Sequence, residues 1–226
     1  MKSFLSVLNN FRIIAKNKKF YEDAFTHSSY VHEHPECTDY ERVEFVGDAV
    51  LDLIVADLVY KTYPTLDQGL MTKLRASFVC GKSLSNYARM YNFGDSIRLG
   101  HGEASSGGRN SSKILEDVFE AFIGAVYLDL GYEVTYKLIS EIMLVDIKEF
   151  DLNSVTDYKS KLQEEIQTDR RGVIVYRVVK ETGPAQNKIF EVEAVYENII
   201  LGRGVGSSKK KAEQEAARDA LLKRVI

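Results

Sequence analysis

The sequence predicts an all-α domain followed by a small α+β domain of order α-β-β-β-α, and three observations carry the prediction. Residues 1–150 space their apolar side chains at helical period and nowhere alternate as a sheet does. Beyond a polar stretch, three segments alternate apolar and polar residues between two amphipathic helices. The charge changes sign at the same place: residues 1–155 hold 16 Lys+Arg against 22 Asp+Glu, and residues 156–226 hold 14 against 11. An acidic module joined to a basic one fits a metal-using enzyme coupled to a polyanion binder.

The expected boundaries are 1–150 for the first domain, 151–156 for a linker and 157–226 for the second domain. In the first, helices are expected near 3–10 and 20–26, over 39–61, across 68–91, over about 113–130 and near 134–146. The stretch GHGEASSGGRNSS, Gly100 to Ser112, reads as a flexible surface loop on its glycines and serines. In the second, DYKSKLQEEIQ is a short helix with Asp157 as its cap, followed by the strands GVIVYRVVK, KIFEVEAVY and NIILGRGVG and the helix SSKKKAEQEAARDALLKRV. Tyr196-Glu197-Asn198 marks a tight hairpin, and Gly183-Pro184 opens the longer loop before the middle strand.

Composition narrows the setting. No apolar run reaches membrane-spanning length, and the N-terminal segment MKSFLSVLNNFRIIAKNKKF is interrupted by polar residues, so no membrane association is expected. Two cysteines, Cys37 and Cys80, without CxxC spacing point to neither a disulfide framework nor a structural zinc, and a cytoplasmic location is the simplest expectation.

The segment ERVEFVGDAVLDLIVADLVY carries the chemistry. Glu41, Glu44, Asp48 and Asp52 fall within an arc of about 80° on a helix that is otherwise apolar around most of its circumference. Acids stacked in this way repel one another and resist leaving water, so something positive should sit beside them. A second pair, Asp117 and Glu120, shares a face of the helix KILEDVFEAFIGAVYLDLG. Gly47 lies beside Glu44, and Ala121 and Gly124 lie near Asp117, so the two helices can approach closely. Glu44, Asp48, Asp117 and Glu120 would then form an all-oxygen set suited to Mg2+ or Mn2+ rather than zinc. One i,i+4 acid pair alone is ordinarily a solvated face, but two pairs on buried helices, both flanked by glycine, reverse that weighting. Asp52 is the weaker member, explained equally by an arginine partner. His32, His34 and Cys37 lack a fourth ligand and read as turn chemistry, and His27 reads as a structural hydrogen-bonding residue.

ERVEFVGDAVLDL, together with THSSY, MTKLRASFV, the SSGG loop and ILEDVFEAFIGAVYLD, resembles the ribonuclease III family, and the resemblance runs through a C-terminal double-stranded-RNA-binding domain. It implies an all-α ribonuclease III nuclease domain followed by a small α+β double-stranded-RNA-binding domain. It further implies an Mg2+-dependent endoribonuclease that cuts duplex RNA in line, through a two-metal arrangement, to 5′-phosphate and 3′-hydroxyl ends. Carried over residue by residue, Glu44, Asp48, Asp117 and Glu120 are the metal ligands and Glu41 is a supporting acid. Phe45 is similar to the residue that plugs into the partner of a homodimer. Gln163 and Glu164, the loop from Gly183 to Lys188 with Gln186, and Lys209, Lys210 and Lys211 match the RNA-contacting positions; no organic cofactor is expected. Two positions depart from the family's pattern. Gln68 stands where a glutamate is usual, which bears on the second metal or on an RNA contact, and Gln186 stands where histidine is usual. A non-cleaving RNA-binding protein on the same fold is the competing reading, and the complete carboxylate set favours the enzyme.

Overall fold

The computed structural model describes residues 3–169, 172–184 and 186–224, and the chain divides into two compact units, Met1–Val155 and Thr156–Ile226. The first unit is helical: α1 (Leu5–Asn10), α2 (Lys18–Ala24), α3 (Ser28–Glu33), α4 (Glu41–Thr62), α5 (Gln68–Val79), α6 (Gly81–Met90), α7 (His101–Ser105), α8 (Ser112–Leu130) and α9 (Tyr132–Lys148). Helices α4 and α8 form its centre. Leu51, Ile54 and Val55 of α4 and Phe119, Phe122 and Ile123 of α8 are fully buried, and Phe25, Phe93, Phe119 and Phe122 stack edge and face at centroid distances of 5.2–6.2 Å.

The closeness of α4 and α8 is set by two glycines. A Cβ on Gly47 would lie 1.8 Å from the Glu120 carbonyl oxygen, and one on Gly124 would lie 2.1 Å from that of Val43. Any side chain at either position would drive the helices apart, which is why glycine's poor helix propensity is tolerated mid-helix.

Three expectations are corrected here. The stretch 68–91 is two helices, not one, because Cys80 turns extended (φ −74°, ψ 151°). The Gly100–Ser112 segment is not a flexible loop: it holds α7 and a 3-10 turn at Gly108–Asn110. Gly108 is buried there, and Arg109 donates to the carbonyls of Gly94 (2.9 Å) and Ile97 (2.8 Å), so long-range bonds replace the order that its composition lacks. Helix α3, which the apolar pattern did not suggest, starts at His27, whose Nδ1 accepts from the Ser29 backbone N–H. That is the structural hydrogen bond expected of this histidine.

The second unit consists of α10 (Tyr158–Asp169), β1 (Val175–Thr182), β2 (Ile189–Tyr196), β3 (Ile199–Gly206) and α11 (Lys209–Arg224). The strands form one antiparallel sheet in the order β1-β2-β3. Glu197 and Asn198 both take positive φ, as a two-residue hairpin turn between β2 and β3 requires. Ala212, Ala216 and Ala220 of α11 lie against Gly202, Gly204 and Gly206, alternate residues of β3 with no Cβ to hold the helix off. Leu162, Ile166, Phe190, Val192 and Tyr196 complete this core.

Candidate metal centre and nucleic-acid interface

Glu44 projects from α4, and Asp117 and Glu120 from α8, toward the crossing that Gly47 and Gly124 make possible. One carboxylate oxygen from each of the three lies within 4.8 Å of the others. Asp117 and Glu120 are buried and Glu44 is half-buried, so the charges are partly withdrawn from water. Burial first, and the nearby Asp117 carboxylate second, push Glu44 up to about 7. Burial, followed by the charges of Asp48 and Glu44, pushes Glu120 up to about 8. Near neutral pH this cluster holds protons that a cation must displace.

Not every expected residue joins that group. Asp48, one turn beyond Glu44, is exposed and lies outside the three-oxygen set, although its charge reaches Glu120. Glu41 is exposed at the first position of α4 and acts on Glu44 and Tyr40 through its charge. Asp52 faces Arg75 (Oδ1 to Nε, 3.7 Å) rather than the cluster. Gln68 is exposed at the start of α5 and lines a groove of about 380 Å3 with Leu53, Asp57, Tyr60, Met71 and Arg75, none of them a member of the Glu44, Asp117 and Glu120 group. His32, His34 and Cys37 form no ligating group among the described residues.

The periodicity reading missed two groups that hold Asp117. The Tyr40 hydroxyl donates to Asp117 Oδ2 at 3.2 Å, a bond buried between residues 77 positions apart. The Lys113 ammonium lies 2.6 Å from Asp117 Oδ1 and 3.9 Å from Glu116. Pairing with Asp117 raises the Lys113 pKa, and burial raises that of Tyr40 well above its usual value, with Asp117 adding to it. The i,i+4 spacing of Lys113 and Asp117 was a usable signal for the second contact; nothing local announces the first.

Phe45, beside the cluster on α4, is 79 % exposed, and Leu53 and Tyr60 continue an apolar stripe on the same helix face. An aromatic ring so exposed among apolar neighbours marks a contact surface.

In the second unit, Lys209, Lys210 and Lys211 are exposed on the first turn of α11, whose N-terminal end carries the positive pole of its dipole. Lys209 also lies over the Phe190 ring at 5.8 Å. Gln186 is exposed in the β1–β2 loop, in which Ala185 lies outside the described residues, and Glu164 is exposed on α10. Gln163 is engaged within the fold: its Nε2 donates to the Gly172 carbonyl (2.9 Å), and its Oε1 accepts from the Ile174 N–H (3.1 Å). Its amide thus ties α10 to the entry of β1.

The ribonuclease-III-like family model matches residues 17–147, and the double-stranded RNA binding motif matches residues 158–224. Ribonuclease 3 of Halalkalibacterium halodurans is 47 % identical over 221 residues, covering 97 % of this chain and 84 % of the relative. Ribonuclease 3 of Bacillus cereus is 48 % identical over 209 residues, covering 92 % and 85 %. The crystal structure of the nuclease domain of ribonuclease III from Campylobacter jejuni has a TM-score of 0.60 at 32 % identity, covering 67 % of this chain and all of that one. A second structure of that domain, described as flexible in the region involved in dimer formation, has a TM-score of 0.57 at 32 % identity, covering 62 % and 99 %.

Proposed function

Because the chain belongs to the ribonuclease III family, we propose that Glu44, Asp48, Asp117 and Glu120 hold Mg2+, with Mn2+ able to substitute, and that Glu41 supports them. The enzyme is an endoribonuclease that hydrolyses double-stranded RNA to 5′-phosphate and 3′-hydroxyl ends in RNA processing and decay. The observation that carries the metal assignment is the convergence of Glu44, Asp117 and Glu120 oxygens within 4.8 Å across two buried helices. An all-oxygen, multiply anionic set without histidine or cysteine fits a hard divalent ion. Both oxygens of the buried Asp117 face donors, Oδ1 the Lys113 ammonium at 2.6 Å and Oδ2 the Tyr40 hydroxyl at 3.2 Å.

A divalent ion bound there supplies Lewis acidity toward a phosphodiester and brings the ionisation of water into the neutral range. The chain's own residues do the rest. Tyr40 holds Asp117 Oδ2, so the carboxylate keeps one orientation. The Gly47–Gly124 crossing fixes the spacing between the Glu44 and Glu120 backbones. Glu44 and Glu120, both raised by burial, would have to be deprotonated to hold the ion. Asp48, exposed one turn along α4, would complete the ligand set from its solvent side.

The second domain supplies duplex recognition. Lys209, Lys210 and Lys211 meet phosphates, while Glu164 and Gln186 reach minor-groove edges and 2′-hydroxyls in a footprint of about 16 base pairs. Gln163 serves there by fixing the α10–β1 junction from which Glu164 extends. Gln68, outside the carboxylate set, is assigned to RNA contact. The stripe Phe45, Leu53 and Tyr60 docks a second copy, with Phe45 of each protomer entering the groove between α4 and α5 of its partner. A homodimer of this kind presents two clusters, one per strand. The protein works in the cytoplasm, with no organic cofactor and no membrane partner; no helix among the described residues is long and apolar enough to cross a membrane.

The test is Glu120→Gln. Cleavage of a long RNA duplex in Mg2+ should be lost while duplex binding in Ca2+ persists, because one anionic ligand disappears and the second domain is untouched. Equal cleavage by variant and parent at matched Mg2+ removes Glu120 from the metal set.

A further inference from the structure

Helix α8 begins with a cation placed against its own carboxylates. Lys113 sits one turn before Asp117, its side chain is 70 % exposed along its length, and yet its ammonium reaches in to 2.6 Å from an oxygen of a nine-tenths-buried aspartate. The same ammonium is 3.9 Å from Glu116, and its charge acts on Glu44 across the helix crossing. On the other side of Asp117, Oδ2 is held by Tyr40. The two oxygens of this carboxylate therefore have different partners: a buried neutral donor from the start of α4, and a mobile cation on a long tether.

These partners differ in what they do when a divalent ion arrives. The Tyr40 hydroxyl can go on holding Oδ2, because a carboxylate oxygen has two lone pairs and a neutral donor does not repel a cation. The Lys113 ammonium repels the ion and occupies the oxygen it needs, so the two positive groups compete for Asp117 Oδ1. Resting on the metal reading above, we propose that Lys113 is the resident counter-ion of the carboxylate cluster: it neutralises the acids while no divalent ion is bound and is displaced from Asp117 when one binds.

Exposure of the lysine stem makes that displacement easy. With 70 % of its side chain exposed, the ammonium can swing into water, whereas a buried arginine in the same place would have to be pulled from the core. A flexible, singly charged resident also screens less than the ion that replaces it, so the exchange runs toward the divalent species.

The test compares Lys113→Met, which keeps stem length and removes the charge, with Lys113→Arg, which keeps the charge, both measured against the parent as full-length chains stripped of metal. Calorimetric titration with Mn2+ should show Lys113→Met binding tighter by roughly tenfold, the scale of one removed like charge a few ångströms from a divalent ion at a partly solvated site. Lys113→Arg should bind as the parent does. Thermal melts supply a second readout independent of cleavage: without metal, Lys113→Met should melt several degrees below the parent, and saturating Mn2+ should close that gap. Unchanged or weaker Mn2+ affinity in Lys113→Met, with the parent binding normally, overturns the counter-ion role alone. A parent chain that binds no Mn2+ overturns both this inference and the metal assignment beneath it.

Discussion

Replacing Gly47 with alanine sets two effects of opposite sign against each other. Helix propensity favours the change, since alanine is better than glycine within a helix by about 0.8–1 kcal/mol. The crossing with α8 opposes it. The new Cβ would lie 1.8 Å from the Glu120 carbonyl oxygen, 2.7 Å from its carbon and 2.8 Å from the Gly124 nitrogen. Ordinary contact needs about 3.4 Å, so α8 must retreat by about 1.5 Å, and no rotamer relieves a clash of Cβ with main chain. Overpacking of this kind costs about 1–3 kcal/mol, and a main-chain contact belongs at the upper end of that range. The net is a loss of about 1–2 kcal/mol, or a fall in melting temperature of about 2–8 °C for a domain of this size. Function should suffer more than stability. The displaced backbone carries Glu120 away from Glu44, and a misplacement of about 1 Å at a reacting site can cost about 10²-fold in rate. Gly124→Ala should behave alike, and the double variant should fall short of the sum because both changes open one crossing. Melts with and without Mg2+, together with a Mg2+ titration of cleavage, decide the matter. A Gly47→Ala protein that melts above the parent at unchanged Mg2+ requirement would show that propensity wins and that the crossing is looser than described.

Three further outcomes follow from the same structure. Replacing Lys209, Lys210 and Lys211 with alanine should weaken binding to every duplex alike and reduce the slope of log affinity against log salt by about two to three, with an unchanged slope placing these lysines away from phosphate. With Glu44 raised to about 7 and Glu120 to about 8, the metal-free fold keeps the associated stability at acidic pH and loses it as pH rises through those values. Melts of metal-free protein between pH 5 and 8.5 should therefore decline, divalent-ion binding near pH 6.5 should release protons to the buffer, and a flat profile without proton release contradicts the raised values. Phe45→Ala should shift light scattering from twice the chain mass toward 25.6 kDa, and an unchanged dimer would move the interface elsewhere.

What could be read in advance followed the periodicities. Glu44 and Asp48, and likewise Asp117 and Glu120, repeat at helical spacing on apolar helices, so the approach of Glu44, Asp117 and Glu120 was legible once Gly47 and Gly124 offered a close crossing, whereas Asp48 stays outside that group. The turn at 197–198 likewise showed itself through Asn198, a residue suited to positive φ, although Glu197, which is not, takes that conformation too. Contacts remote in sequence left no such trace. Tyr40 reaches Asp117 across 77 positions, and no pattern near either residue announces it. Arg109 orders a glycine- and serine-rich stretch by bonding to carbonyls on a different turn of chain, so composition alone suggested a loop. The break falls at Cys80, whose extended backbone nothing in the local composition announces, and the next residue, Gly81, lies against the Glu116 carboxylate of α8. Lys113 was visible, but a lysine at a helix start ordinarily faces water; only its distance from Asp117 gives it meaning. Gln163 shows the converse, a residue placed by resemblance at the RNA surface whose amide is spent on the fold's own backbone.

The assignment of a divalent ion to the α4–α8 crossing is tested most directly by crystals of the protein grown with Mn2+ and measured at the manganese absorption edge. An anomalous peak about 2.0–2.3 Å from oxygens of Glu44, Asp117 and Glu120, with the Lys113 ammonium withdrawn from Asp117, is the expected result. An anomalous map with no peak at the crossing at saturating Mn2+, or with its strong peak outside reach of these three carboxylates, contradicts it.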